Sequence, residues 1–86
     1  MQYILSKRFE KDFSKLPKQT KKKVIIVLQR FVDDPQDESL RSHSLSGKWN
    51  KHYSIDVTGD IRAVYVYIEK NIVHFVAVGS HSQLYG

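Results

Sequence analysis

Residues 60–78 decide the fold: Asp60-Ile61-Arg62-Ala63-Val64-Tyr65-Val66-Tyr67-Ile68-Glu69-Lys70-Asn71-Ile72-Val73-His74-Phe75-Val76-Ala77-Val78. From Ile61 to Ile68 nearly every position is apolar, the composition of a central strand covered on both faces. Ile72 to Val78 is a second β-branched and aromatic run, and the Lys70-Asn71 spacer between the two has hairpin length. Upstream, Tyr53, Ile55 and Val57 alternate with His52, Ser54 and Asp56, the pattern of a half-buried strand, and Thr58-Gly59 separates this run from the central one. Three antiparallel strands follow, over roughly Trp49–Val57, Asp60–Glu69 and Ile72–Val78.

The first half of the chain reads differently. Tyr3-Ile4-Leu5 is a short opening strand, and Ser6 is placed to cap a helix whose apolar stripe is Phe9, Phe13 and Leu16. Pro17 interrupts it, and a second helix is predicted from about Lys18 to Val32, with Val24, Ile25, Leu28, Phe31 and Val32 on one face. Asp33-Asp34-Pro35-Gln36-Asp37-Glu38 is a polar break too short to link domains. The order is therefore β-α-α-β-β-β, an α+β class with an antiparallel sheet and both N-terminal helices packed on one face, the other face being left partly open. With 86 residues, the expected organisation is a single domain spanning 1–86.

Composition narrows the chemistry. The chain has no cysteine, which excludes disulfides, thiol nucleophiles and Cys-based metal sites. Its longest apolar runs, Val24–Leu28 and Ala63–Ile68, are too short to span a bilayer, and Met1–Ile4 lacks the pattern of a secretory signal, so a soluble protein with no membrane partner is expected. The net charge is +5, and it is unevenly placed. Lys7–Arg30 holds nine basic residues against two acidic ones, a surplus of seven, while the remainder is net negative by two. Such a field favours a polyanionic partner and salt-sensitive binding, although a lysine-rich helix face also serves solubility alone.

No HExxH spacing, Gly-rich phosphate loop or thiol is present, so catalysis would fall to acid–base and electrostatic work, with no cofactor and no metal expected. Of the four histidines, His43 precedes a Ser44-Leu45-Ser46-Gly47 turn and His81 follows the last strand, both loop positions where functional side chains concentrate. His52 and His74 lie in strand patterns and read as structural or surface residues. Arg62 stands in an otherwise apolar strand, where its guanidinium needs solvent, a carboxylate such as Asp60 or Glu69, or a phosphate. Asp60 follows Thr58-Gly59 in ordinary turn chemistry. Trp49 reads as a core anchor, whereas Tyr85, near the C-terminus, has less reason to be core. Lys21, Lys22, Lys23, Lys48 and Lys51 are the candidate RNA or phosphate contacts.

Three segments together resemble the RelE/YafQ superfamily of small bacterial toxins, with the YafQ type nearest. They are His43-Ser44-Leu45-Ser46-Gly47-Lys48-Trp49 with Tyr53 after it, Gly59-Asp60-Ile61-Arg62-Ala63-Val64-Tyr65, and Gly79-Ser80-His81-Ser82-Gln83-Leu84-Tyr85-Gly86. The resemblance covers the whole chain. It implies a RelE/ParE-like fold and a cytoplasmic toxin of a type II toxin–antitoxin pair that cleaves mRNA on the ribosome. Its partner would be a cognate antitoxin, in a complex that can be of higher order. By matching position it implicates His43, Asp60 and His81 in proton transfer, Arg62 against the scissile phosphate and Tyr85 as the C-terminal aromatic. His81 is the first candidate for protonating the leaving 5′-oxygen, with His43 or Asp60 accepting the 2′ proton, and the reverse assignment stays open.

The departures are specific. The lysines that RelE places on the second strand fall near Ser54 and Asp56, a second YafQ-type histidine is replaced by Asp56 or Val57, and an arginine four residues before the final histidine is Ala77. Arg62 can approach the same anion from the adjacent strand. Two other classes share the architecture or the charge: a ParE-like gyrase inhibitor, which needs no nuclease residues, and a non-catalytic RNA- or ribosome-binding module acting through the Lys7–Arg30 surface.

Overall fold

Ser6 begins the helical half, as its position predicts. Its hydroxyl accepts the Phe9 N–H at 2.9 Å and donates to the Val76 carbonyl at 2.9 Å, so one side chain caps the helix and ties it to the sheet. The computed structural model describes residues 1–85; Gly86 of the closing motif lies outside them. Strand β1 (Gln2–Leu5) leads into helix α1 (Lys7–Ser14), and Pro17, which has no N–H to leave unpaired, sits at the start of helix α2 (Lys18–Asp33). Then come strands β2 (His43–Ser44), β3 (Tyr53–Asp56), β4 (Ile61–Glu69) and β5 (Ile72–Ser80), and helix α3 (His81–Tyr85). The two-residue β2 and the terminal α3 are absent from the six-element reading of the sequence.

One five-stranded sheet runs in the order β1-β5-β4-β3-β2. The expected antiparallel pairing holds from β2 to β5, whereas β1 joins β5 in parallel, Gln2 opposite Ile72 through Leu5 opposite Phe75. The two helices carry the chain from β1 at one edge to β2 at the other, and the β2–β5 meander brings it back beside β1. Lys70-Asn71 is the two-residue turn expected, closed by the Glu69–Ile72 pair. The other hairpin is one residue longer than Thr58-Gly59. Val57 N–H donates to the Ile61 carbonyl at 2.8 Å, leaving Thr58, Gly59 and Asp60 in the turn and setting Asp56 opposite Arg62. Because side chains alternate along a strand, that single residue decides which of them face each other.

The main core lies between the helices and one sheet face. Phe9, Val24, Val27, Leu28, Phe31 and Leu40 pack on Ile55, Val57, Ala63, Tyr65, Val73, Phe75 and Val78. The Phe31 ring is 4.7 Å from Tyr65 and 5.6 Å from Phe75, within the range where aromatic pairs add to burial. Ile25, expected on the buried stripe of α2, is 61% exposed, and Val27 fills the core instead. A register shift next to Val76 turns Ala77 away from the face that Phe75 shares with the helices. Ala77 joins Trp49, Val64 and Leu84 in a second cluster on the opposite face. The face expected to be partly open is thus closed at one end by α3 and the 3-10 turn Gly47–Trp49.

Candidate active site

The side of the sheet away from α1 and α2 carries the polar side chains of β2, β3 and β4 in two rows. Antiparallel register aligns His43, Ser54, Val64 and Ala77 in one row, and Asp56, Arg62 and Gly79 in the next. Beyond them, at the end of β5, the chain turns into α3. Ser80 and Gln83 make the turn by a reciprocal cap, in which Gln83 N–H donates to Ser80 Oγ at 3.2 Å and Ser80 N–H to Gln83 Oε1 at 2.8 Å. A Cβ on Gly79 would lie 2.8 Å from that Oε1, so any larger residue there would push the Gln83 carboxamide aside. The result places His81 as the first residue of α3.

Trp49 anchors this end. Its Nε1–H donates to the Leu84 carbonyl at 2.9 Å, and the Arg8 guanidinium lies 5.5 Å from its ring centroid. The core-anchor reading of Trp49 therefore holds, and the anchor locks α3 to the loop that follows His43. Tyr85 packs partly on the same cluster, and its ring centroid is 4.7 Å from that of His81 in an edge-to-face arrangement. The Tyr85 hydroxyl is buried without a hydrogen-bond partner among the described residues.

Between these elements lies an open depression of about 320 Å³, lined by His43, Leu45, Ser46, Arg62, His81 and Tyr85. Four of the residues picked from sequence are thus brought together: His43, Arg62, His81 and Tyr85. Lys48 and Lys51 lie on the loop beyond Ser46 and are exposed. Lys21, Lys22 and Lys23 are on α2, in the layer packed against the other face, and do not line the depression. Asp60 does not line it either. The carboxylate stands in the β3–β4 turn and makes no hydrogen bond among the described residues, while the Thr58 hydroxyl accepts the Asp60 and Ile61 N–H groups and fixes that turn.

Arg62 finds neither Asp60 nor Glu69. Its Nε lies 3.0 Å from Asp56 Oδ1, and its Nη1 donates to the carbonyls of Thr58 and Gly59 at 3.2 Å each. The guanidinium is held along its stem by a carboxylate and two carbonyls, a fork geometry that lysine lacks. His43 is oriented as well. Its Nδ1 lies 3.0 Å from the Arg41 carbonyl, which can only accept, so Nδ1 carries the proton and the neutral ring keeps its lone pair on Nε2. Buried Ser54 sits 3.4 Å from that Nε2.

Sequence reasoning missed Asp56, Ser54 and the Ser80–Gln83 cap as parts of the site. Ser-x-x-Gln is a capping-box signature and marks the start of α3, and the polar alternation of β3 already sets Ser54 and Asp56 on one side. Among the described residues there is no helix long and apolar enough to cross a membrane and no group of three His, Asp or Glu placed to hold a metal ion.

Two helices over one face of a five-stranded sheet form a RelE/ParE-like fold. The crystal structure of YafQ from Escherichia coli aligns with a TM-score of 0.83 at 20% identity, covering 98% of this chain and 97% of that one. The solution structure of a conserved hypothetical protein from Helicobacter pylori aligns at 0.76 with 27% identity, covering 99% of each chain. A chain of the intact RelBE toxin–antitoxin complex of Escherichia coli aligns at 0.68 with 24% identity, covering 91% of this chain and 93% of that one. Among curated protein sequences none matches. Residues 1–86 match the family described as a bacterial toxin of type II toxin–antitoxin systems, YafQ. The chain belongs to this family and is the toxin component of such a system.

Proposed function

We propose that the toxin is an endoribonuclease that cleaves mRNA on the translating ribosome, using the depression between β2, β4 and α3. The observation that carries this reading is the convergence of His43, Arg62, His81 and Tyr85 on one surface. RNA brings its own nucleophile. The 2′-oxygen attacks the adjacent phosphorus while a base takes its proton, the bond to the 5′-oxygen breaks, and an acid protonates that leaving oxygen, giving a 2′,3′-cyclic phosphate and a 5′-hydroxyl. The Nε2 lone pair of His43 supports its role as base, and His81, from the other side of Arg62, is the acid. Arg62 neutralises the charge that gathers on the phosphate in the transition state, a contribution of the oxyanion-hole kind. Tyr85 gives a base or ribose beside His81 an aromatic edge. Asp60 remains the alternative proton acceptor, reached by movement of the exposed turn.

Lys48 and Lys51 flank the depression as phosphate contacts, and Lys21, Lys22 and Lys23 offer a second basic surface for ribosomal RNA. Structural relatives have been solved within the Escherichia coli DinJ–YafQ and RelBE toxin–antitoxin complexes. By likeness, the partner here is a cognate antitoxin, in an assembly that can exceed one copy of each, and the site of action is the cytoplasm. Ala77 is buried beneath Trp49 and Leu84, so Arg62 alone supplies the charge from these two strands. The test is inducible expression in a bacterial host with mapping of RNA 5′ ends within minutes. New ends inside translated messages, lost in Arg62→Ala, support the proposal. Growth arrest with intact transcripts and gyrase-linked DNA breaks would replace it with the gyrase reading.

A further inference from the structure

We infer that Arg41 is a second phosphate-binding arginine of this site, gripping the RNA backbone beside the scissile phosphate; the inference rests on the endoribonuclease reading. Asp56 holds two guanidiniums at once. Its Oδ1 is 3.0 Å from Arg62 Nε and its Oδ2 is 3.4 Å from Arg41 Nε. One carboxylate cannot neutralise two arginines, so the trio keeps a positive surplus. The two arginines are not equally held. Arg62 has further partners in the Thr58 and Gly59 carbonyls, whereas the Arg41 side chain is 79% exposed and, among the described residues, has only Asp56. An ion pair that open is weak and readily exchanged for a stronger anion.

The backbone at Arg41 argues for a purpose. It sits at φ 53 and ψ 42, the left-handed region, closing the 3-10 turn Glu38–Leu40 with its N–H on the Glu38 carbonyl. Glycine or asparagine takes that conformation at lower cost than arginine does. An arginine held at a strained backbone position with one weak side-chain contact points to a role outside the fold. The strand order supplies the geometry, because residue 41 precedes β2 at the sheet edge, two positions before His43 and alongside Asp56. An RNA strand whose scissile phosphate meets Arg62 and His43 passes Arg41 as it leaves the sheet. The Arg41 carbonyl meanwhile orients His43, a main-chain role any residue can fill.

Arg41→Gly separates these roles, since glycine retains the carbonyl and relaxes the left-handed strain. The probe is a fully 2′-O-methylated single-stranded RNA oligomer, which lacks the attacking hydroxyl, titrated at several salt concentrations with thermal melting run alongside. Arg41→Gly is expected to melt no lower than wild type, while the slope of log affinity against log salt shrinks by about 0.7, the value of one phosphate contact on a single strand. Arg41→Lys should retain the wild-type slope. An unchanged slope in Arg41→Gly would overturn the inference, as would a loss in Arg41→Lys equal to that in Arg41→Gly. A wild type that does not bind the oligomer in a salt-dependent way would overturn this inference, and the RNA reading with it if ribosome-bound mRNA is also left uncut.

Discussion

Asp56 and Arg62 face each other across β3 and β4, carboxylate to guanidinium at 3.0 Å, and this pairing aims the arginine that lines the depression. Both side chains are largely covered, 20% and 23% exposed, so the guanidinium has few other directions open to it. Replacing Arg62 with lysine keeps the charge and loses the fork. Arg62→Lys is expected to cut mRNA about 10-fold to 100-fold more slowly than wild type, and Arg62→Ala about 100-fold or more. Both should stay folded, with a stability loss of about 1 kcal/mol or less for a partly exposed pair. Cleavage rates on programmed ribosomes, with circular dichroism melts, check this.

The Ser80–Gln83 cap makes a second prediction, because it sets the start of α3 and thereby His81. Gln83→Ala removes the acceptor for the Ser80 N–H, at a cost of about 0.5–1.5 kcal/mol. A misplaced His81 lowers cleavage about 10-fold to 100-fold. Gln83→Glu keeps a capping-box acceptor and should restore most of the rate, whereas Gln83→Met, of similar length but with no oxygen acceptor, should not, as it would if the role of Gln83 were purely steric.

Trp49 donates to the Leu84 carbonyl inside the second cluster. Trp49→Phe leaves that carbonyl without its donor, which costs about 1–2 kcal/mol and lowers Tm by about 5–15 °C in a chain of this size. Differential scanning calorimetry gives the answer directly. The same substitution should reduce cleavage, since α3 loses the bond that fastens it to the His43 loop.

Alkaline pH should weaken the fold through Tyr65. Burial pushes its phenol above the ordinary value of 10.0, against the hydrogen bond with Ser42, and the neighbouring Tyr67 and Tyr53 add to the rise. The unfolded chain then loses this proton first. The contribution to stability is fully present below about pH 10 and is lost as pH climbs from there through the raised folded-state value. Urea midpoints from pH 8 to 11 should fall more steeply for wild type than for Tyr65→Phe, which gives up the 2.6 Å Ser42 contact but has no proton to release.

Most of this architecture is legible in strand alternation and helix stripes, because burial on one side leaves a periodic record. Ser6, Pro17, the β4 and β5 runs and the Lys70-Asn71 turn all stand where their chemistry places them. Three features were not readable. The parallel seat of β1 depends on where two helices deliver the chain, which no local pattern encodes. The three-residue β3–β4 turn differs from a two-residue one by Asp60 alone, yet that shift exchanges the partner of Arg62. Helix α3 is too short for a stripe and announces itself only through Ser80 and Gln83. At the site, His43, Arg62, His81 and Tyr85 converge as the motif implied, whereas Asp56 became visible only once register was known.

End-group chemistry tests the central proposal most directly. Ribosome-bound mRNA, in a magnesium buffer that keeps the ribosome intact, is incubated with purified wild type and His81→Ala, and the new termini are identified. The account predicts 2′,3′-cyclic phosphate and 5′-hydroxyl ends, reduced at least 100-fold by His81→Ala in a protein that still melts cooperatively. Cleavage leaving 3′-hydroxyl ends, or undiminished in folded His81→Ala, would contradict it.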